Sequence, residues 1–343
     1  MSTLSDITAQ LIADGMITGD AVLAPVTGGV SCEVWRISAD QVAVEQGSVD
    51  GLIVKAPLAR LRVPTTWEAD VSRGTVEAYA LRTYEDMTPD LVPRVLWSYP
   101  PRHAIAMTAA PANWEEWRQQ LSTREPLDAA IALSRISRIC AILGSTLARW
   151  HVGTRDIGLL DPLLTAGDRL RTLRTDPFHR AAASELPEVA SDLLDLADEL
   201  EAARTCLVHG DFSPKNILVA PVNSDRLWIL DAEVAHVGNP ALDTAFLSAH
   251  LLLKATWRPE ISERLDAGRR EFESAYRAGS GLIPASTWDR QTGAILAARV
   301  CGVSRANYLS AADARWVLPQ AELLISGRRS LNEVWRTLLR ERR

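Results

Sequence analysis

The chain has 343 residues, with 37 Lys plus Arg against 43 Asp plus Glu and a formal net charge of −6. Hydrophobic residues make up 47% and charged residues 23%, the composition of a folded globular chain rather than a disordered one. The acidic balance speaks against nucleic acid or an anionic membrane surface as partner, and the length suggests two packed units. No apolar run approaches a membrane span, and Met1 to Asp6 lacks a basic leader, so a cytoplasmic location is expected. Four distant cysteines (Cys32, Cys140, Cys206, Cys301) form neither a CxxC pair nor a disulfide framework.

The apolar spacing of Leu4, Ile7, Leu11 and Ile12 predicts a short helix over 5–14. Val22 to Val26 and Val34 to Ile37, separated by Gly28-Gly29, read as a hairpin, and 52–56 reads as a third strand stopped by Pro57. A helix over 70–86 and strands at 94–97 and 103–107 follow. Small residues over 108–112 mark a boundary between a first domain, 1–109, and a second, 110–343. The second reads as mostly helical, with long helices over 128–151 and 192–203. Short strands at 206–208, 217–219 and 227–230 interrupt it.

That strand cluster carries the chemistry. His209-Gly-Asp211-Phe-Ser-Pro-Lys215-Asn216 leaves one apolar strand and enters another, setting a carboxylate and a carboxamide on one loop. Asp231 then ends the next strand, with Glu233 two residues on. Oxygen ligands for a hard cation, beside a carboxylate that can receive a hydroxyl proton, are the groups phosphoryl transfer needs. Taken singly, Asp211 could be a turn former, and His209 reads as a structural brace of the loop.

These motifs, with Gly238-Asn-Pro240-Ala-Leu-Asp243, resemble those of the aminoglycoside phosphotransferase/choline kinase family. The resemblance implies an α+β, bilobal protein-kinase-like fold, with a small sheet-plus-helix N-terminal lobe that binds nucleotide and a larger helical lobe that binds the acceptor. It implies ATP and Mg²⁺ as cofactors. Asp211 would be the catalytic carboxylate, and Lys215 would neutralise charge on the moving phosphoryl group or stand as a solvated loop lysine. Asn216 and Asp231 would hold the metal, with Glu233 a further ligand or a group behind it. Lys55 would contact the phosphates with Glu77 as its ion-pair partner. Gly28, Gly29 and Ser31 would approach the phosphates, and backbone groups from Met107 to Ala110, Ala109 among them, would meet the adenine. His209 and Asp243 would brace the loop.

For the acceptor, residues 255–343 hold fifteen arginines, no lysine and ten Asp or Glu, a net +5. A pocket for choline or an aminoglycoside would need acidic groups or an aromatic cage, so the balance favours a neutral or anionic hydroxyl compound. The segment from Ala298 to Leu309 is similar to that of the methylthioribose kinase branch, which implies that Arg299 faces a sugar. Trp114 and Trp117 could line the pocket, though tryptophans are more often core. The arginines of the last helix are expected in solvent, and its apolar stripe, Leu331, Val334, Trp335, Leu338 and Leu339, is expected to dock on the large lobe. The expected enzyme is thus a small-molecule kinase acting on a sugar-like hydroxyl, as a monomer or homodimer. An antibiotic O-phosphotransferase and a catalytically silent nucleotide-binding module are the rivals.

Overall fold

Strand alternation and helical periodicity account for most elements of the computed structural model, which describes residues 3–26, 29–43, 50–63, 66–123, 129–280 and 283–342, without the side chains of 129–133. The chain divides into two compact units: Met1–Trp114 with Trp228–Val234, and Glu115–Leu227 with Ala235–Arg343.

The first unit opens with helix α1 (Thr3–Ala13). Five strands follow: β1 (Ala24–Pro25), β2 (Cys32–Ile37), β3 (Leu52–Pro57), β4 (Val95–Tyr99) and β5 (Ala104–Thr108). They form one antiparallel sheet in the order β1-β2-β3-β5-β4. The hairpin expected around the glycine pair is present, with Ala24 opposite Arg36. Burial alternates along β3, so Leu52, Val54 and Ala56 join Ile7, Leu11, Trp35, Ile37 and Trp97 in one core, while Lys55 projects from the other side of the pleat. Helix α2 (Arg73–Met87) starts three residues later than the pattern suggested. The Asp70 carboxylate accepts from the Ser72 backbone N–H (2.9 Å) and hydroxyl (2.6 Å), forming a local turn that competes with a helical start.

The unit does not stop at residue 109, as the sequence expectation had it. It runs to Trp114 and takes in residues 228–234, because Ile229 donates its backbone N–H to the Leu91 carbonyl (2.7 Å) and Trp114 packs edge-on to Trp228. Trp114 is therefore accounted for by packing.

The second unit contains short strand β6 (Glu115–Glu116), helices α3 (Trp117–Gln120), α4 (Ala129–Gly153), α5 (Pro162–Thr165), α6 (Ala181–Glu185) and α7 (Ala190–Ala202), and strands β7 (Cys206–Val208) and β8 (Ile217–Val219). Strand β9 (Leu227–Ile229) crosses the division between units. Strand β10 (His236–Gly238) and helices α8 (Ala241–Trp257), α9 (Ser262–Gly279), α10 (Ala285–Cys301), α11 (Ala311–Ile325) and α12 (Leu331–Glu341) complete it. Helices α4 and α9 pack closely because Gly144 presents no Cβ to the Phe272 carbonyl. The α12 stripe docks as expected, with Leu331, Val334, Trp335 and Leu338 buried. Arg342 departs from the solvent expectation: it pairs with Asp313 and donates to the Thr256 carbonyl (2.8 Å). Trp117 is a core residue. Among the described residues no helix is long and apolar enough to cross a membrane.

Candidate active site

In the first unit, Lys55 Nζ lies 2.7 Å from both Glu77 Oε1 and Asp231 Oδ1. Burial works against the ammonium, but Asp231 and Glu77 outweigh it and hold the Lys55 pKa well above its ordinary value. Asp231 itself sits at φ 67°, in the left-handed region that non-glycine residues seldom occupy. Such strain persists where surrounding contacts fix a residue for a purpose. The strand-borne lysine, the helix-borne glutamate and the Asp expected on chemical grounds are therefore brought together.

Glu233 goes elsewhere. Its Oε2 accepts from Arg73 Nε at 3.1 Å and lies 3.4 Å from Cys32 Sγ. The fully buried Arg73 also donates to the carbonyls of Ser31 (2.6 Å), Leu58 (2.6 Å), Ala69 (3.1 Å) and Asp70 (2.9 Å), tying the segment before β2 to the start of α2. Sequence reasoning missed Arg73. Ser31 is held through its carbonyl, and Gly29 is exposed beside it; Gly28 lies outside the described residues. Met107 is buried in β5, and the Ala109 N–H is committed to the Gly51 carbonyl (2.9 Å), so that residue can offer a ligand its carbonyl rather than its amide.

In the second unit β7 delivers His209, and Gly210 turns the chain at φ 78°. Phe212, fully buried among Trp150, His209 and Phe272, anchors the residue after Asp211. Asp243, on the first turn of α8, accepts the His209 N–H (2.7 Å) and the Gly210 N–H (2.8 Å), and a 3.1 Å bond joins it to His151. Burial opposes its charge, and these bonds prevail, keeping the Asp243 pKa below the usual carboxylate range. The brace expected of Asp243 is thus geometrically in place. The Asp211 N–H donates to His209 Nδ1 (3.2 Å), and the Asn216 amide donates to the Asp211 carbonyl (2.9 Å).

The Asp211 carboxylate lies 2.8 Å from Lys215 Nζ and 3.1 Å from Arg174 Nη2. Burial would raise its pKa; Lys215 and Arg174 overcome that and hold it well below the carboxylate range. Arg174 comes from a π-helical segment, Arg171–Arg180, that contains Pro177. Its guanidinium also donates to the Gly210 carbonyl and lies over the rings of Phe178 (5.6 Å) and Phe246 (5.4 Å). No motif marks this residue in the sequence.

A family model described as "Phosphotransferase enzyme family" matches residues 64–282, well over half of the chain. The chain belongs to that family. Methylthioribose kinase from Geobacillus thermodenitrificans is 26% identical over 248 residues, which cover 64% of this chain and 59% of that kinase. The chain thus matches under two-thirds of that relative's length. The phosphotransferase also shares its fold with an aminoglycoside-3'-phosphotransferase of type VIII (TM-score 0.50, 16% identity, 87% of this chain and 98% of the other). A choline/ethanolamine kinase family protein from Mesorhizobium loti aligns over 99% of this chain and 93% of its own, with TM-score 0.47 and 15% identity. The fold is α+β and protein-kinase-like, as the resemblance implied, and the enzyme class expected from the sequence, a small-molecule kinase, agrees with the phosphotransferase family match and with the likeness to methylthioribose kinase.

Proposed function

We propose that this phosphotransferase moves the γ-phosphoryl group of ATP, with Mg²⁺, to a hydroxyl of a small molecule, a sugar or sugar-like compound. The observation that supports it most is the state of Asp211: a buried carboxylate, kept ionised by Arg174 and Lys215, on a loop braced by Asp243. A carboxylate this weakly basic orients the hydroxyl through a hydrogen bond and takes its proton late, which suits a loose phosphoryl-transfer transition state. Lys215 and Arg174, already beside that oxygen, would offset charge on the transferred group. Lys55, positioned by Glu77, would contact the α- and β-phosphates. Gly28, Gly29 and Ser31 would lie along them, and the backbone at Met107 and the Ala109 carbonyl would meet the adenine.

The donor set suits Mg²⁺, a hard cation that takes oxygen ligands. Asn216, its Nδ2 committed to the Asp211 carbonyl, presents amide oxygen, and Asp231 is a carboxylate held in a strained backbone. Asn216 and Asp231 are the ligands we propose for the ion, and Glu233 is already engaged by Arg73. When bound, the metal would shield phosphate charge. The intact Lys55–Glu77 pair weighs against a silent module.

The test is acceptor-dependent ADP release with MgATP across pentoses, hexoses, methylthioribose, choline and aminoglycosides. Turnover of a sugar-like hydroxyl supports the reading. Tight ATP binding with no turnover on any acceptor would favour a regulatory module instead.

A further inference from the structure

A second set of charged groups in the helical unit is not used by that chemistry. Lys254, near the end of α8, is buried, with Nζ 4.1 Å from the Tyr308 ring centroid and 4.6 Å from that of Trp257. It donates to Ser122 Oγ at 2.7 Å. Among the described residues no carboxylate lies within ion-pairing distance of it. The same holds for Arg299 on α10, whose Nη1 is bonded to Ser304. Arg299 Nε and the Tyr308 hydroxyl are buried polar atoms without a hydrogen-bond partner among the described residues.

The charges acting on Lys254 are all positive. Burial first, then Arg118 and Arg258, lower the Lys254 ammonium to about 8. Burial likewise lowers Arg299, which is within electrostatic reach of Tyr308, Asp211, Arg174 and Arg118. His250, one turn before Lys254 on α8, is pushed down to about 3 by burial and by Arg299, with Asp211 opposing and Lys215 and Lys254 adding to it. Arg118 and Arg258 have their own carboxylates, Glu116 and Glu260. Lys254 and Arg299 do not. Removing a cation from water without a counter-ion is unfavourable, and the two rings beside Lys254 offset only part of that.

One face of α8 links this cluster to the catalytic loop. Asp243 braces the loop, Phe246 lies under Arg174, His250 stacks on Phe246, and Lys254 is one further turn along. By the rise of a helix, Lys254 is roughly 16 Å along the axis from Asp243.

We infer that the acceptor is an anionic hydroxyl compound, whose carboxylate or phosphate is bound by Lys254, Arg299 and the Tyr308 hydroxyl while its hydroxyl is offered to Asp211. The inference rests on the phosphotransferase reading and narrows its substrate class. The anion would satisfy the two unpartnered donors, Arg299 Nε and the Tyr308 hydroxyl, and supply the counter-charge that Lys254 and Arg299 lack, and the same cluster would repel a cationic acceptor.

Calorimetric binding to the full chain, without nucleotide, tests this independently of turnover. The probes are glucose, glucosamine, gluconate and glucose 6-phosphate, which differ chiefly in charge. Gluconate or glucose 6-phosphate should bind at least about tenfold more tightly than glucose and glucosamine, with affinity falling as salt rises. Preference for gluconate would identify the anion as a carboxylate, and preference for glucose 6-phosphate as a phosphate. Lys254→Met, which keeps the apolar stem, should abolish the preference, and Lys254→Arg should restore part of it. Tyr308→Phe should weaken anion binding without altering the glucose affinity. Each variant's thermal melt confirms folding. Equal or tighter binding of glucose or glucosamine, no anion binding at millimolar concentration, or a preference that survives Lys254→Met in a folded protein would overturn the inference. If acceptor-dependent ADP release is absent while the anion preference holds, the kinase reading fails and the anion site stands.

Discussion

Arg174 Nη2 lies 3.1 Å from Asp211 Oδ2, and the same guanidinium donates to the carbonyl of Gly210, the residue that turns the chain into Asp211. One buried arginine therefore acts on both the charge of the proposed catalytic carboxylate, together with Lys215, and the loop that carries it. Arg174→Met leaves that carboxylate with one cation fewer. Removing one preorganised charge from beside the reacting groups should lower kcat by roughly 100-fold. The KM for ATP should stay near its original value, and the acid limb of the pH profile should move upward as Asp211 becomes easier to protonate. Arg174→Lys should recover part of the rate. Unchanged kcat and pH profile would show that Arg174 is merely structural.

Arg73 and Glu233 form a second buried pair that acts on stability. Arg73→Met strips hydrogen bonds from four carbonyls as well as from Glu233. Chemical denaturation should show a loss of about 3–5 kcal/mol. The double variant Arg73→Met/Glu233→Gln should be less destabilised than the sum of the single variants, because neither charge is then left alone. Strict additivity would mean the two do not interact.

The fold was legible where side-chain period governs local structure. The alternation at Leu52, Val54 and Ala56 places Lys55 on the opposite side of the strand, and Lys55 does meet Glu77 there, 22 residues further along. Arg174 was not legible, because a π-helical segment that tolerates Pro177 has no simple apolar period, and its contact with Asp211 spans 37 residues. Arg73 was hidden for a related reason. Its role is to satisfy backbone carbonyls, which leave no mark on residue identity. Lys254 stood one residue before the arginine-rich stretch whose charge was counted, and charge counting cannot tell a buried cation from a solvated one. Conversely, Ala109 was expected to present backbone to a ligand, and pairing with Gly51 takes up its N–H.

Asp243 shows how far one carboxylate on the first turn of a helix can reach. It holds the His209 and Gly210 amides and is bonded to His151, all of them buried. Asp243→Ala should destabilise the chain by about 3–5 kcal/mol, measured as a fall in the denaturation midpoint. Asp243→Asn should cost less, since it keeps one acceptor. A midpoint unmoved by Asp243→Ala would contradict the bracing role.

His179 gives a pH dependence with a definite sign. Burial lowers its pKa from the ordinary 6.5 to about 4, its Nε2 is bonded to Gln291 (3.0 Å), and its Nδ1 is buried without a partner among the described residues. The unfolded chain therefore binds the proton more readily than the folded one between those values. The stability is fully present above pH 6.5 and is lost as pH falls through that window toward 4, by about 3 kcal/mol. His179→Gln should be less stable at neutral pH and should show a shallower decline between pH 6.5 and 4. An equal slope in the two proteins would assign the acid sensitivity elsewhere.

The central claim is that Asp211 serves phosphoryl transfer rather than folding. The most direct measurement is acceptor-dependent ADP formation by Asp211→Asn against the parent protein, with ATP binding and thermal melting recorded on the same samples. The account predicts a loss of turnover of about 1,000-fold or more, with ATP still bound and the fold intact. Turnover within a few fold of the parent would contradict it.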